Sequence, residues 1–393
     1  MVAVIISVAV AGTLLFGNAS LSDAELKVAR SLSLASLPKI PPDPSNVVAD
    51  NADAVQLGAL LFDDTGMSAN GLVSCATCHL ENRQFQDDLQ FSRGIGTTDR
   101  RSMPLRGVGY QTWFFWDGRK DSLWSQAIGP LENAVEHGFT RSQVAKHVLA
   151  TYPDEYTRLF GPAPKLAEIP PASPLGNQMQ QANWQQLSEP TRDEINRIFV
   201  NTGKSIAAFE RTLVPLENRF DRYINAVSSG QEPGEDATLS KQEINGFKVF
   251  AGKGSCIDCH SGARLTDDFF HNTGVPDPNN PPSDRGRATA FAELDADPFT
   301  CLGRYSDAAP DSCLDLQFMA REVDLFDRTF KSPGLRGIAE RPPFMHAGQI
   351  ETLEQVIEHY NNAPPAPLGH SEIVPLGLSN REKADLLAFL RTL

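Results

Sequence analysis

The chain has 393 residues, too many for one ordinary hydrophobic core, and this length suggests two domains. Hydrophobic residues make up 41% and charged residues 21%, which is a normal globular composition, and the 28 prolines and 29 glycines favour a loop-rich fold. The formal charge is −14 and the sequence has no run of lysines or arginines, so repulsion from phosphates argues against nucleic acid as a partner.

The N-terminal segment predicts export. Residues 1–16 are apolar and uncharged, and the small residues Gly17 and Ala19 suit cleavage by signal peptidase after Ala19. The segment has no basic residues at its start, so an uncleaved membrane anchor is the alternative. We expect a signal peptide over residues 1–19.

Four of the six cysteines fall in two copies of the pattern C-x-x-C-H. The copies are Cys75, Cys78 and His79, and Cys256, Cys259 and His260. In this pattern two thiols attach to the vinyl groups of one porphyrin, and the adjacent histidine becomes an axial ligand of the iron. A zinc ribbon would bring its cysteine pairs much closer together, and a redox C-x-x-C has no reason to end in histidine twice. The pattern therefore predicts two covalently bound haem c groups.

The two remaining cysteines, Cys301 and Cys313, enclose a short loop rich in proline and aspartate. In an oxidising compartment such a loop is commonly closed by a disulfide. We predict that bridge, with two separate free thiols as the alternative.

Helical patterns flank the haem motifs. A Gly-x-x-x-Phe step precedes each motif, at Gly58 and at Gly246, which indicates a duplication. Capping-box patterns predict helix starts after Ser240 and after Ser379. No strand-like alternation of useful length occurs, so we predict a mainly α fold with long loops and little β structure.

The segment 161–191 breaks any regular period and is interpreted as a linker or an inserted loop. From about Asp193, apolar residues recur at helical spacing, which indicates that a second domain begins there.

Three further sequence tracts lie between and after the two haem motifs. They are Phe115-Trp116-Asp117-Gly118-Arg119, Pro333-Gly334-Leu335-Arg336 and Pro343-Phe344-Met345-His346-Ala347-Gly348. Together with the haem motifs they resemble the bacterial dihaem cytochrome c peroxidase and MauG superfamily, from about Asp53 to Leu393. The resemblance implies two cytochrome c-like domains, residues 46–192 with the peroxidatic haem and residues 193–393 with the electron-transfer haem.

The first haem departs from the peroxidases of this family. Their distal histidine lies in a Gly-His-Gly stretch, which is Gly94-Ile95-Gly96 here, and no histidine occurs between His79 and His137. The resemblance thus implies a haem held by His79 alone, with an open face as in the MauG branch. Met103 as a sixth ligand is the alternative.

The resemblance also assigns the residues around that open face. Glu136 matches the family's distal acid/base, which would move a proton between the oxygens of a bound peroxide. Gln126 and Pro130 match positions that shape the same pocket. Trp116 matches a tryptophan that relays electrons between the haems, with ordinary core packing as the alternative.

For the second haem, the family takes its sixth ligand fourteen residues after the histidine of the third tract, and this position is Tyr360. A phenolate would lower the potential of the haem, whereas methionine raises it. Met345 and His359 are the two alternatives.

The family places a calcium ion between its domains with one asparagine side chain as ligand. The matching residue is Ser102, a poorer ligand for a hard cation, so calcium is possible rather than expected.

The resemblance thus implies a periplasmic dihaem oxidoreductase that takes hydrogen peroxide as acceptor. The electron donor would be a small c-type cytochrome or cupredoxin. Two alternatives remain: an enzyme that oxidises a tryptophan or tyrosine of a partner protein, and a non-catalytic dihaem electron carrier. The oligomeric state is left undetermined.

Overall fold

A computed structural model describes residues 20–162, 164–166, 168–277 and 283–393, so the expected signal peptide lies outside the described residues. The described part is mainly helical with little β structure, as predicted. Among these residues no helix has both the length and the apolar character needed to cross a bilayer.

Fourteen α-helices and two short strands make up the described fold. The helices are α1 (Asp23–Leu32), α2 (Ala52–Asp63), α3 (Cys75–Cys78), α4 (Leu123–Glu132), α5 (Arg141–Thr151), α6 (Pro153–Phe160), α7 (Gln178–Gln186), α8 (Glu189–Glu210), α9 (Arg219–Ser228), α10 (Lys241–Ala251), α11 (Arg287–Ala296), α12 (Leu314–Gln317), α13 (Leu353–Asn362) and α14 (Asn380–Leu390). The strands β1 (Phe270–His271) and β2 (Phe330–Lys331) pair antiparallel. The predicted capping boxes form at the starts of α10 and α14, where each serine exchanges hydrogen bonds with the glutamate three residues on.

The first hydrophobic core lies among α2, α4, α5 and α8. Helix α8 contributes Ile195, Ile198 and Phe199 to this core, and it packs along both α2 and α4. The expected domain boundary at 192/193 falls inside α8, whose apolar face is buried in the first core. By packing, the change from the first core to the second falls after α8, over residues 211–218.

The second core lies among α1, α9, α10, α13 and α14. Its centre is a cluster of four phenylalanines, with ring centroids 5.3–5.8 Å apart in the contacting pairs. These are Phe220, Phe247, Phe250 and Phe389. Helix α1, the first described helix, belongs to this core through Ala29 and Leu32, although it precedes the first half in sequence.

The two halves repeat one helix crossing. Gly58 of α2 lies directly against the carbonyl of Ser205 in α8, and Gly246 of α10 lies in the same way against the carbonyl of Asp385 in α14. Neither crossing leaves room for a Cβ atom at the glycine. This repetition supports the duplication indicated by the Gly-x-x-x-Phe steps.

The predicted disulfide is present. Cys301 and Cys313 are bonded, with Cα atoms 5.8 Å apart, in the long segment between α11 and α12.

Candidate haem sites and the path between them

The two motif histidines are held in the same way. His79 Nδ1 is 2.8 Å from the carbonyl oxygen of Phe85, and His260 Nδ1 is 3.0 Å from that of Leu265. Burial lowers the pKa of both imidazoles, so each is neutral and donates its Nδ1–H to the carbonyl. This leaves Nε2 of each ring with its lone pair free for a metal, the usual arrangement of a ligating histidine.

A cavity of about 710 Å³ lies beside the second motif. Its wall includes Cys256, Cys259 and His260 on one side and a large apolar surface elsewhere. The apolar part includes Phe250, Leu335, Ile338, Phe344, Leu353, Ile357, Leu386 and Leu390. The volume lies in the range typical of ligand pockets, roughly 300–1,000 Å³. Two thiols, one imidazole and an apolar wall fit a haem c.

Two of the three candidate sixth ligands line this cavity, Tyr360 and Met345. Burial raises the pKa of Tyr360 to about 12, while a hydrogen bond involving Thr273 opposes this shift. His359 is absent from the described cavity wall, and its Nε2 is 2.8 Å from the carbonyl oxygen of Thr273. The geometry therefore favours Tyr360 or Met345 over His359.

The tract around Trp116 and the tract around His346 have the same backbone form. Phe114 bridges to Lys120 just as Phe344 bridges to Ile350, and each tract is followed by a helix, α4 or α13. Within the tracts, Phe115 and Met345 both have positive φ angles, 65° and 72°. The duplication therefore places Trp116 in one half where His346 stands in the other.

The correspondence between the halves also covers the position proposed for the sixth haem ligand. Pro130 stands fourteen residues after Trp116, and Tyr360 stands fourteen residues after His346. Pro130 lies inside α4 and Tyr360 lies inside α13. Proline has no side-chain donor atom, so the first half lacks a ligand where the second half has a phenol.

Glu136 lies close to the first haem motif. Burial of Cys75 raises the pKa of its thiol, and the charges of Glu210 and, more weakly, Glu136 act in the same direction. Burial likewise raises the pKa of the Cys78 thiol, with Asp87 and Glu136 adding to the shift. Glu136 Oε1 accepts a hydrogen bond from Asn133 Nδ2 at 2.8 Å. Burial raises the pKa of Glu136 itself, and nearby Arg119 opposes that shift. The site thus holds a carboxyl group with a raised proton affinity.

The Gly94-Ile95-Gly96 stretch lies directly on the main chain of Glu136. Ile95 N donates to the carbonyl of Glu136 at 2.9 Å, and Gly96 N donates to that of Val135 at 2.9 Å. Gly94 has no room for a Cβ atom against Glu136. The segment that carries the distal histidine in peroxidases therefore supports the candidate acid/base here.

Gln126 and Pro130 lie on α4, the helix that precedes Glu136. Gln126 Oε1 is buried and has no hydrogen-bond partner within the described part of the chain. The ring of Phe115 lies against Gly129 on the same helix, with the guanidinium of Arg119 3.6 Å above it. An unpaired buried acceptor on this helix fits a site that takes a further molecule.

The main chain of Met103 lies beside the His79 imidazole, and that of Pro333 lies in the same way beside His260. Met103 as a sixth ligand of the first haem stays the alternative prediction.

Trp116 is buried in the wall of the second cavity. It is 7% exposed, and its Nε1 donates to the carbonyl of Arg101 at 2.9 Å. Its own carbonyl accepts from the amide of Lys331 at 2.7 Å. The residue lines the second cavity, and it directly follows Phe115 of the first site. The hydrogen bonds of its side chain and main chain thus fix the orientation of the indole at the wall of the second cavity.

Sequence reasoning missed three buried charged residues, Arg101, Glu210 and Lys331. Burial raises the pKa of Glu210 to about 8, and this carboxyl lies near Cys75. Lys331 lines the second cavity, and Arg101 lies between the halves. No local pattern distinguishes these residues, since arginine, glutamate and lysine are mostly surface residues.

The fold and the two motif histidines define a mainly helical, two-domain haem protein of cytochrome c-like architecture. Residues 52–229 match the model of a family described as di-haem cytochrome c peroxidase. The chain is 30% identical over 346 residues to the methylamine utilization protein MauG of Methylorubrum extorquens, covering 87% of this chain and 78% of that protein. It is 31% identical over 350 residues to the cytochrome-c peroxidase IdrP2 of Denitromonas iodatirespirans, covering 88% and 82% of the two chains.

A solved structure, that of a MauG-like protein associated with microbial copper homeostasis, aligns with a TM-score of 0.62 and 27% identity. The alignment covers 91% of this chain and 94% of the other. The chain therefore belongs to the dihaem cytochrome c peroxidase and MauG family, and it is a peroxidase-like oxidoreductase with haem as cofactor.

Proposed function

We propose that this protein is a periplasmic dihaem oxidoreductase that reduces hydrogen peroxide at the His79 site and draws electrons through Trp116 and the His260 site from an external donor. The proposal rests on one difference between the two duplicated halves, at the position of the sixth haem ligand. Pro130 stands in the first half where Tyr360 stands in the second, so only one site has a protein donor atom at that position. An open site next to Glu136 suits binding of a small oxidant.

When bound through Cys75, Cys78 and His79, a haem supplies a redox-active iron that takes electrons one at a time. The protein supplies proton transfer around it. Cleavage of the O–O bond of peroxide needs a proton moved from the inner oxygen to the outer one. Glu136 is suited to this because burial raises the pKa of its carboxyl above the ordinary value, which favours a group that both accepts and returns a proton.

Gln126 and Arg119 complete the polar part of the first site. The free Oε1 of Gln126 is an acceptor for a proton on peroxide or on product water. Arg119 holds its guanidinium between the Phe115 ring and Asp117, where it balances the negative charge of Glu136.

Trp116 serves as the relay. Its indole lies in the wall of the second cavity, and its N–H is fixed by the carbonyl of Arg101. An indole gives up an electron more readily than most side chains, and a fixed orientation keeps its coupling to both sites constant. Tyr360 is the proposed sixth ligand of the second haem, where a phenolate would stabilise oxidised iron, with Met345 as the alternative.

A protein partner is supported by an apolar surface beside Trp113, three residues from the relay. A groove of about 410 Å³ is lined there by Trp113, Phe269 and Phe318, and Phe318 is 80% exposed. Exposed apolar patches mark interaction sites. The net charge of −14 would favour a donor with a basic face, such as a small c-type cytochrome or cupredoxin.

A second candidate function is oxidation of a tryptophan or tyrosine of a partner protein. It is favoured by the 30% identity to a MauG protein and by the tyrosine at position 360. Localisation in the periplasm follows from the proposed signal peptide over residues 1–19.

The substitution Glu136→Gln tests the first proposal. We expect kcat/KM for peroxide to fall by about 10²–10⁴, the usual contribution of a positioned acid/base, while the absorption spectrum of both haems stays close to that of wild type. Steady-state oxidation of a reduced small cytochrome measures the rate.

Glu235→Gln is the matched control, because it removes the same charge at an exposed loop position outside the site. Turnover of Glu136→Gln at the wild-type rate would remove Glu136 from the mechanism.

A further inference from the structure

The side chain of Arg101 is buried at the contact between the two halves, with 5% of the residue exposed. Its Nε donates to the carbonyl of Leu89 at 3.1 Å, and its Nη2 donates to the carbonyl of Asp87 at 3.0 Å. Both acceptors belong to the first half, close to its haem motif.

The same guanidinium reaches the second half. Nη1 donates to the carbonyl of Arg341 at 3.1 Å and also to that of Pro343, while Nη2 lies 3.4 Å from the carbonyl oxygen of Pro342. Five main-chain carbonyl oxygens from two distant segments thus converge on one cation. We call this set, from residues 87, 89 and 341–343, the carbonyl cluster.

Carbonyl oxygens in such a cluster are the ligand type that calcium takes in proteins. Their dipoles point inward and favour a positive charge at the centre. Ser102, matched above to the family's calcium ligand, follows Arg101 directly, and its hydroxyl already accepts from the amide of Asp87 at 3.1 Å. A calcium ion, which the resemblance left possible rather than expected, therefore does not fit in a cluster whose oxygens already accept from the Arg101 guanidinium.

We propose that the guanidinium of Arg101 takes the place of an interdomain calcium ion: it fills the carbonyl cluster, joins the two halves, and makes this protein independent of metal at that position.

Arg101 keeps its positive charge inside the carbonyl cluster. Burial lowers the pKa of Arg101 to about 10, and the nearby carboxylates of Asp87 and Asp88 oppose the shift. The side chain is thus a cation at neutral pH. Without it, five carbonyls would lose a donor, and a buried polar group left without a partner typically costs about 1–3 kcal/mol.

Arg101 also connects the carbonyl cluster to Trp116, the proposed relay, through its main chain. Its amide donates to the carbonyl of His346 at 2.9 Å, and its carbonyl accepts the indole N–H of Trp116 at 2.9 Å. The residue therefore fixes the second-half tract and the relay indole as well as the carbonyl cluster, so it is a positioning residue for the path between the sites.

The first test uses the wild-type holoprotein after treatment with a chelator. We expect that calorimetric titration with CaCl₂ shows no stoichiometric binding and that millimolar calcium leaves the unfolding temperature unchanged. One calcium bound per chain with a rise in unfolding temperature would overturn the proposal. This measurement stands whether or not any variant folds.

The second test uses Arg101→Ala, which removes the guanidinium and leaves the carbonyl cluster. We expect a lower unfolding temperature without metal, binding of one calcium per chain with a dissociation constant of roughly 10⁻⁴–10⁻³ M, and partial recovery of the unfolding temperature with calcium. A variant that folds only when refolded with calcium supports the proposal equally.

Arg93→Ala is the matched control, since it removes one exposed arginine from the same half and should gain no calcium binding. A folded Arg101→Ala protein that binds no more calcium than this control would show that the carbonyl cluster is not a cation site.

Discussion

The ammonium group of Lys331 is enclosed in the wall of the second cavity, where its Nζ donates to the carbonyl of Trp113 at 2.7 Å and to the side chain of Gln111. The residue is 2% exposed, and burial lowers the pKa of Lys331 to about 7, with nearby Arg264 acting in the same direction. Its amide also holds the carbonyl of Trp116. A lysine with a depressed pKa therefore lies next to Trp116, the proposed relay.

This depressed pKa has a consequence for stability. Between about pH 7 and the ordinary lysine pKa of about 10.4, the unfolded chain binds a proton at Lys331 that the folded chain has released. The unfolding free energy should therefore rise with pH across this window, by at most about 1.4 kcal/mol per pH unit from this group, and level off outside it.

Lys331→Met should remove that contribution to the slope, whereas exposed Lys39→Met should retain it. Denaturant unfolding at a series of pH values from 7 to 10 measures the slopes. Equal slopes for wild type and Lys331→Met would mean that the lysine keeps its proton in the folded state.

At the scale of single residues, the sequence predicted those features that depend on neighbouring residues in the chain. The cysteines and histidines of the two motifs are recognisable because haem attachment requires them within five residues. Arg101 and Lys331 were not found, because their partners come from distant parts of the chain: Arg101 donates to carbonyls near residue 342, and Lys331 donates near residue 112. The roles of Glu136, Trp116 and Tyr360 came from family resemblance and stay predictions.

At the scale of helices, the crossing of α10 and α14 is a central contact of the second core. Gly246 lies against the carbonyl of Asp385 and near Phe389, so a Cβ atom there must push the two helices apart. By helix propensity, without any steric contact, alanine in a helix interior is more stable than glycine by about 1 kcal/mol. Overpacking of a tight contact costs about 1–3 kcal/mol and opposes that gain.

The added Cβ would meet main-chain atoms of Asp385, which places the overpacking cost in the upper part of its range. After the helix-propensity gain is subtracted, we expect Gly246→Ala to lower the unfolding free energy by about 1–2 kcal/mol. Gly234→Ala in the loop before α10 is the control, since an added Cβ would meet only the Asp236 side chain within 4 Å. Denaturant unfolding followed at the haem absorption band gives both values. A Gly246→Ala protein as stable as wild type would show that the crossing has room to relax.

Helix starts were predictable because a capping box is a local pattern, and those after Ser240 and Ser379 are present. The partner of a helix was less predictable. Periodicity shows that α8 has a buried face but not which core receives it, and α8 packs on α2 and α4 rather than opening the second core. The placement of α1 on the second core had no sequence signal, because its contacts are with α9, far along the chain.

At the scale of the whole molecule, one fold is used twice with different chemistry. Both halves repeat the glycine crossing, the fixed histidine and the bridged tract before a helix. Among the matched positions that differ, two bear on the proposed sites: Trp116 against His346, and Pro130 against Tyr360. These two differences separate a proposed reaction site from a proposed electron-storage site.

The most direct test of this division is ferric-state EPR with optical spectra, recorded on the holoprotein before and after addition of peroxide. Before peroxide we expect one high-spin haem, at the open first site, and one low-spin haem, at the second. Peroxide should then change the signals of both haems, and Tyr360→Phe should abolish the low-spin signal of the second haem or change it strongly. Two low-spin haems that do not respond to peroxide would contradict the account.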